Sequence, residues 1–121
     1  KYAQESGISY VAWSPLARGL LTNRYLDVKN VGPGDRLYDE GSNDLYNNNV
    51  IRSKIRQLGD MSEELDIEVN QLVLAYMLTL PGMGPVIPSA STVKQLKSNA
   101  KAGKLILNAS QIENIKKIMN G

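Results

Sequence analysis

Two strand–loop–helix units constrain the fold of this chain more than any other feature. Residues 8–12 alternate small, β-branched and aromatic side chains, as a buried strand does, and they lead into a loop at residues 13–21 that contains Pro and Gly. Residues 85–88 repeat the arrangement, and residues 89–92 then open a helix. Two such units in 121 residues predict an α/β fold and suggest a site for a dinucleotide.

The composition excludes several classes of function. The 14 basic and 12 acidic residues give a net charge of +2, which argues against a nucleic-acid partner. The absence of cysteine removes disulfides, thiolate chemistry and zinc–cysteine sites. No apolar stretch reaches the roughly 18 residues of a membrane span and no signal peptide is visible, so we expect a cytoplasmic protein. Six lysines near the end indicate a solvated helix face rather than a binding patch: Lys94, Lys97, Lys101, Lys104, Lys116 and Lys117.

The segment 26–49 differs in character from the rest of the chain. It is rich in Gly, Asn, Asp and Ser, and it shows little apolar periodicity. We expect a long loop insertion within a single partial domain, 1–121. Long loops of this kind are functional or mobile, so both a lid over the ligand and a disordered spacer stay open.

Apolar spacing predicts two helices after this loop. A stripe at helical spacing comprises Ile51, Ile55, Leu58, Met61 and Leu65. Gly59 lies inside this helix, where glycine costs about 1 kcal/mol relative to alanine. Residues 68–79 are denser in apolar side chains, as in a helix covered on several sides, and residues 81–85 end it.

Capping residues mark two more helices near the end of the chain. Ser91 or Thr92 is the predicted N-cap of a helix whose apolar positions are Val93, Leu96 and Ala100. Asn108, three residues before Gln111, predicts a capping box for the last helix. The predicted buried stripe of that helix comprises Ile112, Ile115 and Met119.

Three segments of the chain resemble the aldo-keto reductase family. Residues 13–21 are similar to its Trp/Tyr-Ser-Pro-Leu-x-x-Gly-x-Leu loop, residues 87–99 to its Ile-Pro-Gly-Ala-Ser loop and the following Gln-Leu and Glu-Asn, and residues 63–76 to the helix between them. The family fold is a (β/α)8 barrel, which typically needs about 250 residues. The resemblance therefore implies a C-terminal fragment of a TIM barrel, made of its last two β/α units, with two parallel strands and covering helices.

The start of the sequence fits this interpretation. Residues 1–5 look like the last turn of a helix, Gly7 is its predicted cap, and no initiating methionine is present. We expect the open edge of the two strands to need a neighbour, either the missing N-terminal half of the barrel or another copy of this chain.

The first loop carries most of the site residues that the resemblance implies. Trp13 corresponds to the aromatic residue that stacks on nicotinamide, with a core tryptophan as the alternative. Contacts to pyrophosphate are implied for Ser14, Pro15, Leu16, Ala17 and Gly19, and the candidate cations over the phosphates are Arg18, Arg24 and Arg36. Asp35 can instead hold Arg36 in a surface ion pair.

The second loop is implied to bind the adenosine end of NADP(H). Ser89, Ser91 and Thr92 precede a helix N-terminus, which favours a phosphate, and their alternative role is capping alone. Gln95 and Asn99 match family residues that bind adenosine. The chain departs from the family at Ser98, where glutamate is usual, and at Ser89, where many members have glycine.

The resemblance implies reduction of aldehydes or ketones by hydride transfer from NADPH. In the family a tyrosine acts as general acid with lysine, aspartate and often histidine, all from the first half of the barrel. This chain has no histidine, and none of its six tyrosines lies in that motif. We therefore expect a cofactor-binding part of a reductase that does not catalyse alone, and we assign it no catalytic residue and no metal ligand.

Two other functions stay open. The loops also resemble those of voltage-gated potassium-channel β subunits, which implies a nucleotide-binding subunit without turnover. The third alternative is a self-associating quarter barrel whose loops are relics, because parallel strands are normally covered on both faces.

Overall fold

The two predicted strands pair in parallel in the computed structural model, which describes residues 2–121. Tyr10 pairs with Met83 and Trp13 with Ile87, with an irregularity between Tyr10 and Ala12. Parallel pairing places the carboxyl ends of both strands at the same edge of the sheet. The α/β prediction with two parallel strands and covering helices is confirmed.

The secondary structure contains the predicted strands and helices and, in addition, two short helices within residues 26–49. The strands are β1, Tyr10–Trp13, and β2, Met83–Ile87. The helices are α1 (Tyr2–Glu5), α2 (Arg36–Asp39), α3 (Asn43–Asn47), α4 (Asn49–Glu64), α5 (Val69–Leu78), α6 (Val93–Lys101) and α7 (Ala109–Asn120). Single 3₁₀ turns are formed by Ala17–Gly19, Asn23–Tyr25, Val28–Asn30 and Ala102–Lys104. No helix within the described residues is long and apolar enough to cross a membrane.

The main core lies where α4, α5 and α7 pack together. Its fully buried members are Leu58, Val69, Leu72, Leu74 and Ile115. The predicted stripe of α4 is confirmed, because Ile55 and Leu58 are buried and Met61 and Leu65 pack against the core. Burial of these apolar side chains is the main term that stabilises the arrangement.

Gly59 is explained by a close contact from outside its helix. It is buried, and a Cβ atom built on it lies 2.5 Å from Cδ2 of Leu26. Any larger residue at this position must displace the end of the Leu26 side chain, so packing rather than backbone conformation disfavours a larger residue here.

The segment 26–49, predicted as a long loop insertion, contains two short helices. This segment forms α2 and α3 and buries Leu37 and Tyr46. Together with Leu20, Tyr25 and Ile55 they form a second apolar cluster. The helices are only four and five residues long, too short to produce apolar periodicity, so only packing across the chain reveals them. The disordered-spacer alternative fails for the same reason.

The prediction that residues 8–12 form a buried strand is also wrong in part. The strand begins at Tyr10, and of its residues only Ala12 is buried. Tyr10 and Val11 are 61% and 50% exposed. The sheet has only two strands among the described residues, so nothing there covers the alternating side chains.

The N-caps of the last two helices are as predicted. The hydroxyl of Thr92 accepts a bond from the N–H of Gln95 at 3.2 Å, and Oδ1 of Asn108 accepts one from the N–H of Gln111 at 2.9 Å. The reciprocal side-chain bonds are also present, so both are capping boxes. Gly7 has a φ of +67°, which fits its predicted role after α1; Lys1 of the predicted helical turn lies outside the described residues.

The apolar positions of α6 do not face the core. Val93 and Leu96 are 68% and 59% exposed, and Ala100 is exposed as well. The buried face of α6 carries Ser98 and Asn99 instead. The amphipathic period identified the helix but not the side that packs, because polar partners on α5 fix its orientation.

The stripe of α7 is displaced at one position. Ile115 is buried, whereas Met119 is 40% exposed and Ile118 packs against the core in its place. The prediction for Met119 is therefore wrong.

Candidate functional site

The two loops after the parallel strands enclose one cleft of about 720 Å³. Parallel pairing of β1 and β2 brings the loops together, although more than 60 residues separate them in sequence. All thirteen predicted cofactor residues line this cleft except Trp13 and Ala17: the lining includes Ser14, Pro15, Leu16, Arg18, Gly19, Arg24, Arg36, Ser89, Ser91, Gln95 and Asn99. The fold thus brings residues from both loops into a single site.

Trp13 is an exposed aromatic ring at the carboxyl end of β1. It is 82% exposed, so the described residues do not bury it as a core tryptophan. Its backbone pairs with Ile87, which fixes the ring beside the sheet edge. Trp13 thus offers a flat apolar face to a ligand or to another part of the protein.

The first loop has an unusual backbone. Ser14, Ala17 and Arg18 have φ values of +55°, +47° and +60°, and Gly19 has +97°. Non-glycine residues in this region carry strain, which packing must offset, and buried Pro15 helps to anchor the loop. The strain is concentrated at a loop that lines the cleft, as is typical of ligand sites.

Two backbone N–H groups of this loop donate hydrogen bonds within the loop itself. The N–H of Ala17 donates to the carbonyl of Ser14 at 3.0 Å, and that of Gly19 donates to the carbonyl of Leu16 at 2.9 Å. These two groups therefore hold the turn rather than point at a ligand. Leu16 is 8% exposed and belongs to the main core, so its side chain anchors the loop to that core.

The three predicted arginines are paired with carboxylates of the 26–49 segment. Arg24 Nε lies 2.5 Å from Asp35 Oδ1, and its Nη2 bonds Oδ2 of the same carboxylate. Arg18 Nη1 and Arg36 Nε lie 2.8 Å and 2.7 Å from the two oxygens of Glu40. The suggested pair of Asp35 with Arg36 is wrong, because Asp35 bonds Arg24 and Arg36 bonds Glu40 one helical turn later.

These contacts affect the acidity of the two carboxylates. The hydrogen bond from Arg24 holds the pKa of Asp35 below its usual value. Hydrogen bonds from Arg36 and then Arg18 lower the pKa of Glu40 in the same way. Both carboxylates are therefore charged at neutral pH and form ion pairs with the arginines.

Gln95 holds the second loop in place through hydrogen bonds. Its Oε1 accepts bonds from the N–H and hydroxyl of Ser91 at 2.8 Å and 2.9 Å and from the N–H of Thr92 at 3.2 Å. Gln95 was predicted as an adenosine contact, and the structure gives its carbonyl a capping role. Its role toward a ligand stays a prediction.

A buried polar network lies beneath the second loop. Asn70 Nδ2 donates to Asn99 Oδ1 at 2.8 Å and to Ser98 Oγ at 2.9 Å. Asn99 Nδ2 donates to the carbonyl of Ser89 at 3.4 Å, and the hydroxyl of Ser98 donates to Glu68. Asn99 thus connects α5 to the loop that holds Ser89.

Sequence reasoning missed Glu68 and Asn70, which also line the cleft. Asn70 and Gln71 interrupt the apolar run of α5, and both are buried. Buried amides need hydrogen-bond partners, so this interruption was the available signal for a polar network.

The arrangement suits an elongated anion with an aromatic end. Exposed Trp13 directly precedes the lining residue Ser14, the three arginines carry positive charge although each is paired with a carboxylate, and the 89–92 loop provides polar groups. These are the features that a dinucleotide needs, and the residues present fit such a group.

A second cleft of about 1070 Å³ lies between α4 and α6. It is lined by the cations of Arg56, Lys94, Lys97 and Lys101 and by the carboxylates of Asp60, Glu63, Asp66 and Glu68. The mixed charges do not form a basic patch, and the lysines are exposed to solvent.

Comparison with known proteins gives one family. The model of the aldo/keto reductase family matches residues 1–120. Aldo-keto reductase str7 of Strobilurus tenacellus is 31% identical over 118 residues, which are 96% of this chain and 34% of that protein. A probable voltage-gated potassium channel subunit beta of Arabidopsis thaliana is 32% identical over 100 residues, 79% of this chain and 30% of that protein. L-glyceraldehyde 3-phosphate reductase of Escherichia coli O157:H7 is 28% identical over 106 residues, 82% of this chain and 30% of that protein. The chain spans about a third of the length of these relatives.

Proposed function

Because this chain belongs to the aldo/keto reductase family, we propose that it is the NADP(H)-binding, C-terminal part of an oxidoreductase that reduces aldehydes or ketones. The observation that carries the proposal is the single cleft lined by both loops at the carboxyl ends of β1 and β2. In α/β proteins this end of the strands is where ligands bind.

Different residues of the site bind different parts of the cofactor. Trp13 stacks on the nicotinamide ring, and Arg18, Arg24 and Arg36 face the phosphates once they leave Asp35 and Glu40. The 89–92 loop receives the adenosine end, with Asn99 holding Ser89 in place from below. NADPH, when bound, supplies the hydride for the reduction.

The rest of the reductase belongs to the same proposal. We place this chain at the last two β/α units of a (β/α)8 barrel, with the earlier units beside the exposed edges of β1 and β2, or with a second copy there. Tyr10, Val11 and Ile87 are 61%, 50% and 55% exposed along these strands, and a neighbouring strand pairs with such an edge and covers such side chains. The general acid for the carbonyl comes from those earlier units, and a cytoplasmic location is part of the proposal.

One alternative has a specific observation in its favour. Relatives at 32% and 29% identity are described as probable voltage-gated potassium channel β subunits, from Arabidopsis thaliana and Oryza sativa. In that alternative the protein binds the nucleotide and acts through a partner without turning over.

A turnover assay distinguishes these functions. The full-length gene product is mixed with NADPH and a panel of small aldehydes, and oxidation of NADPH is followed by its absorbance, with NADH as the control. Many turnovers per protein support the reductase, whereas one slow stoichiometric oxidation supports the nucleotide-binding subunit. No binding of either nucleotide refutes both.

A pair of variants tests the site itself. Trp13→Ala removes the stacking surface and is expected to raise the KM for NADPH, whereas Trp13→Phe retains a ring and most of the affinity. Tyr38→Ala is the matched control, since Tyr38 is also an exposed aromatic residue but lies on α2 and not at the carboxyl end of β1. Equal effects of Trp13→Ala and Tyr38→Ala contradict the assignment.

A further inference from the structure

Asn70 connects the buried face of α5 to the residues beneath the second loop. It is 6% exposed and lies within a helix whose other buried residues are mostly apolar. Both N–H groups of its side chain are used, because Nδ2 donates to Ser98 Oγ at 2.9 Å and to Asn99 Oδ1 at 2.8 Å. Formation of α5 does not require these bonds, so the polar side chain is explained by the groups that α6 presents to it.

The orientation of the Asn99 side chain follows from Asn70. A side-chain amide carries an acceptor oxygen and a donor nitrogen, and Asn70 presents N–H donors to it. The oxygen of Asn99 therefore faces Asn70, and its Nδ2 donates to the carbonyl of Ser89 at 3.4 Å. The opposite orientation brings two donors together at Asn70 and two oxygens together at Ser89. Asn70 thus determines which end of the Asn99 amide reaches the second loop.

The start of the second loop depends on this bond. Residues 88–90 belong to no helix or strand. Within residues 2–121, the carbonyl of Ser89 accepts a hydrogen bond only from Asn99. Gln95 holds the later part of the loop through the N–H groups of residues 91 and 92. The first part is therefore held by Asn99 and, behind it, by Asn70.

We propose that Asn70 is a positioning residue for cofactor binding, which acts through Asn99 to hold the carbonyl of Ser89 in place. The inference rests on the proposed function, which places the adenosine end of NADP(H) at residues 89–92. A loop that is already held loses less conformational entropy when a ligand binds, so the ligand binds more tightly. Asn70 lines the cleft, but both of its N–H groups are occupied and are not free for the ligand.

The test measures affinity for two ligands that share the adenosine end. Dissociation constants of NADPH and of adenosine 2′,5′-bisphosphate, a fragment without the nicotinamide end, are measured by titration calorimetry in the full-length gene product. Asn70→Leu keeps a side chain branched at Cγ and removes both donors. It is expected to weaken both ligands by about fivefold, the factor that corresponds to one net hydrogen bond. The stoichiometry of each titration reports the folded fraction, so a partial loss of folded protein does not imitate the effect.

A double-mutant cycle distinguishes positioning from direct contact with the ligand. In the Asn99→Ala background the bond to Ser89 is already absent, so Asn70→Leu is expected to have no further effect on either dissociation constant. Gln71→Leu is the matched control, because Gln71 is also a buried amide of α5 and donates to Ser98 but not to Asn99. It is expected to lower the stability of the protein and to leave both dissociation constants unchanged.

The outcomes separate the inference from the function on which it rests. Asn70→Leu that leaves both affinities unchanged, or that acts no differently from Gln71→Leu, overturns the positioning role. An effect that persists in the Asn99→Ala background, or that weakens NADPH and not the fragment, overturns it as well. Each of these results leaves NADP(H) binding by the protein standing. Unmodified protein that binds neither ligand overturns the proposed function together with the inference.

Discussion

Replacement of Gly59 by alanine distinguishes local helix propensity from tertiary packing more sharply than any other change. Gly59 lies inside the 16-residue helix α4, where alanine is favoured over glycine by about 1 kcal/mol. On local grounds the substitution stabilises the protein. The structure predicts the opposite sign, because a Cβ atom at this position lies 2.5 Å from Cδ2 of Leu26.

The size of the effect follows from that overlap. Carbon atoms in contact normally lie about 3.5–4.0 Å apart, so the new methyl group penetrates Leu26 by about 1 Å or more. Overpacking of this kind costs about 1–3 kcal/mol. After the gain of about 1 kcal/mol in helix propensity is subtracted, we expect Gly59→Ala to lower the free energy of unfolding by about 1 kcal/mol.

A double-mutant cycle in urea tests the reasoning. Unfolding of the full-length gene product is followed by circular dichroism for Gly59→Ala, Leu26→Ala and the double variant. With Leu26 shortened, Gly59→Ala is expected to become stabilising, since only the helix propensity remains. Gly103→Ala is the matched control, because its Cβ meets no atom within 4 Å, and it is expected to be neutral or stabilising. The reasoning is refuted if Gly59→Ala stabilises the unaltered background as much as Gly103→Ala does.

Three further predictions concern the second cluster, a cap and an ion pair. Leu37→Ala is expected to lower the free energy of unfolding, measured in urea, by about 2–5 kcal/mol because Leu37 is fully buried. Tyr38→Ala, at an exposed neighbouring position, is expected to lower it by about 0.5 kcal/mol. Equal effects of the two substitutions contradict cooperative packing of the 26–49 segment. Asn108→Ala is expected to cost about 1 kcal/mol in thermal unfolding by removing the N-cap of α7, and Asn108→Asp should restore most of it. Because Arg24 lowers the pKa of folded Asp35, their pair contributes fully above the unfolded value of about 3.9 and is lost as the pH falls through the lowered pKa. Urea unfolding between pH 7 and pH 3 should therefore show Arg24→Gln less stable at neutral pH and converging with the unmodified protein in acid; parallel curves would contradict this.

Local chemistry made much of the fold predictable. The apolar period of α4, the dense apolar run of α5 and the capping boxes at Thr92 and Asn108 all depend on residues within four positions of each other. Interactions over this range belong to the helix itself, so they survive without knowledge of the rest of the chain.

Contacts between distant residues account for the errors. Leu37 and Tyr46 pack on Tyr25 and Ile55, which no periodic pattern connects. Asp35 bonds Arg24, eleven residues away, and not its neighbour Arg36. The turn at Asn23–Tyr25 brings the guanidinium of Arg24 to Asp35. The choice depends on where two backbone segments meet.

The candidate site also combines features that local sequence predicts with features that only contacts between distant segments create. The two loop motifs identified residues that belong to one cleft, because each motif carries its own turn and cap chemistry. Only the parallel pairing of β1 with β2 placed the loops side by side, and only the packing of α6 on α5 brought Ser98 to Glu68 across 30 positions. The sequence by itself determined which segments form helices, strands and turns. The tertiary structure decided which polar side chain each buried or charged group bonds, since hydrogen bonds and ion pairs act over about 3 Å and the distances between segments are set by the packed core.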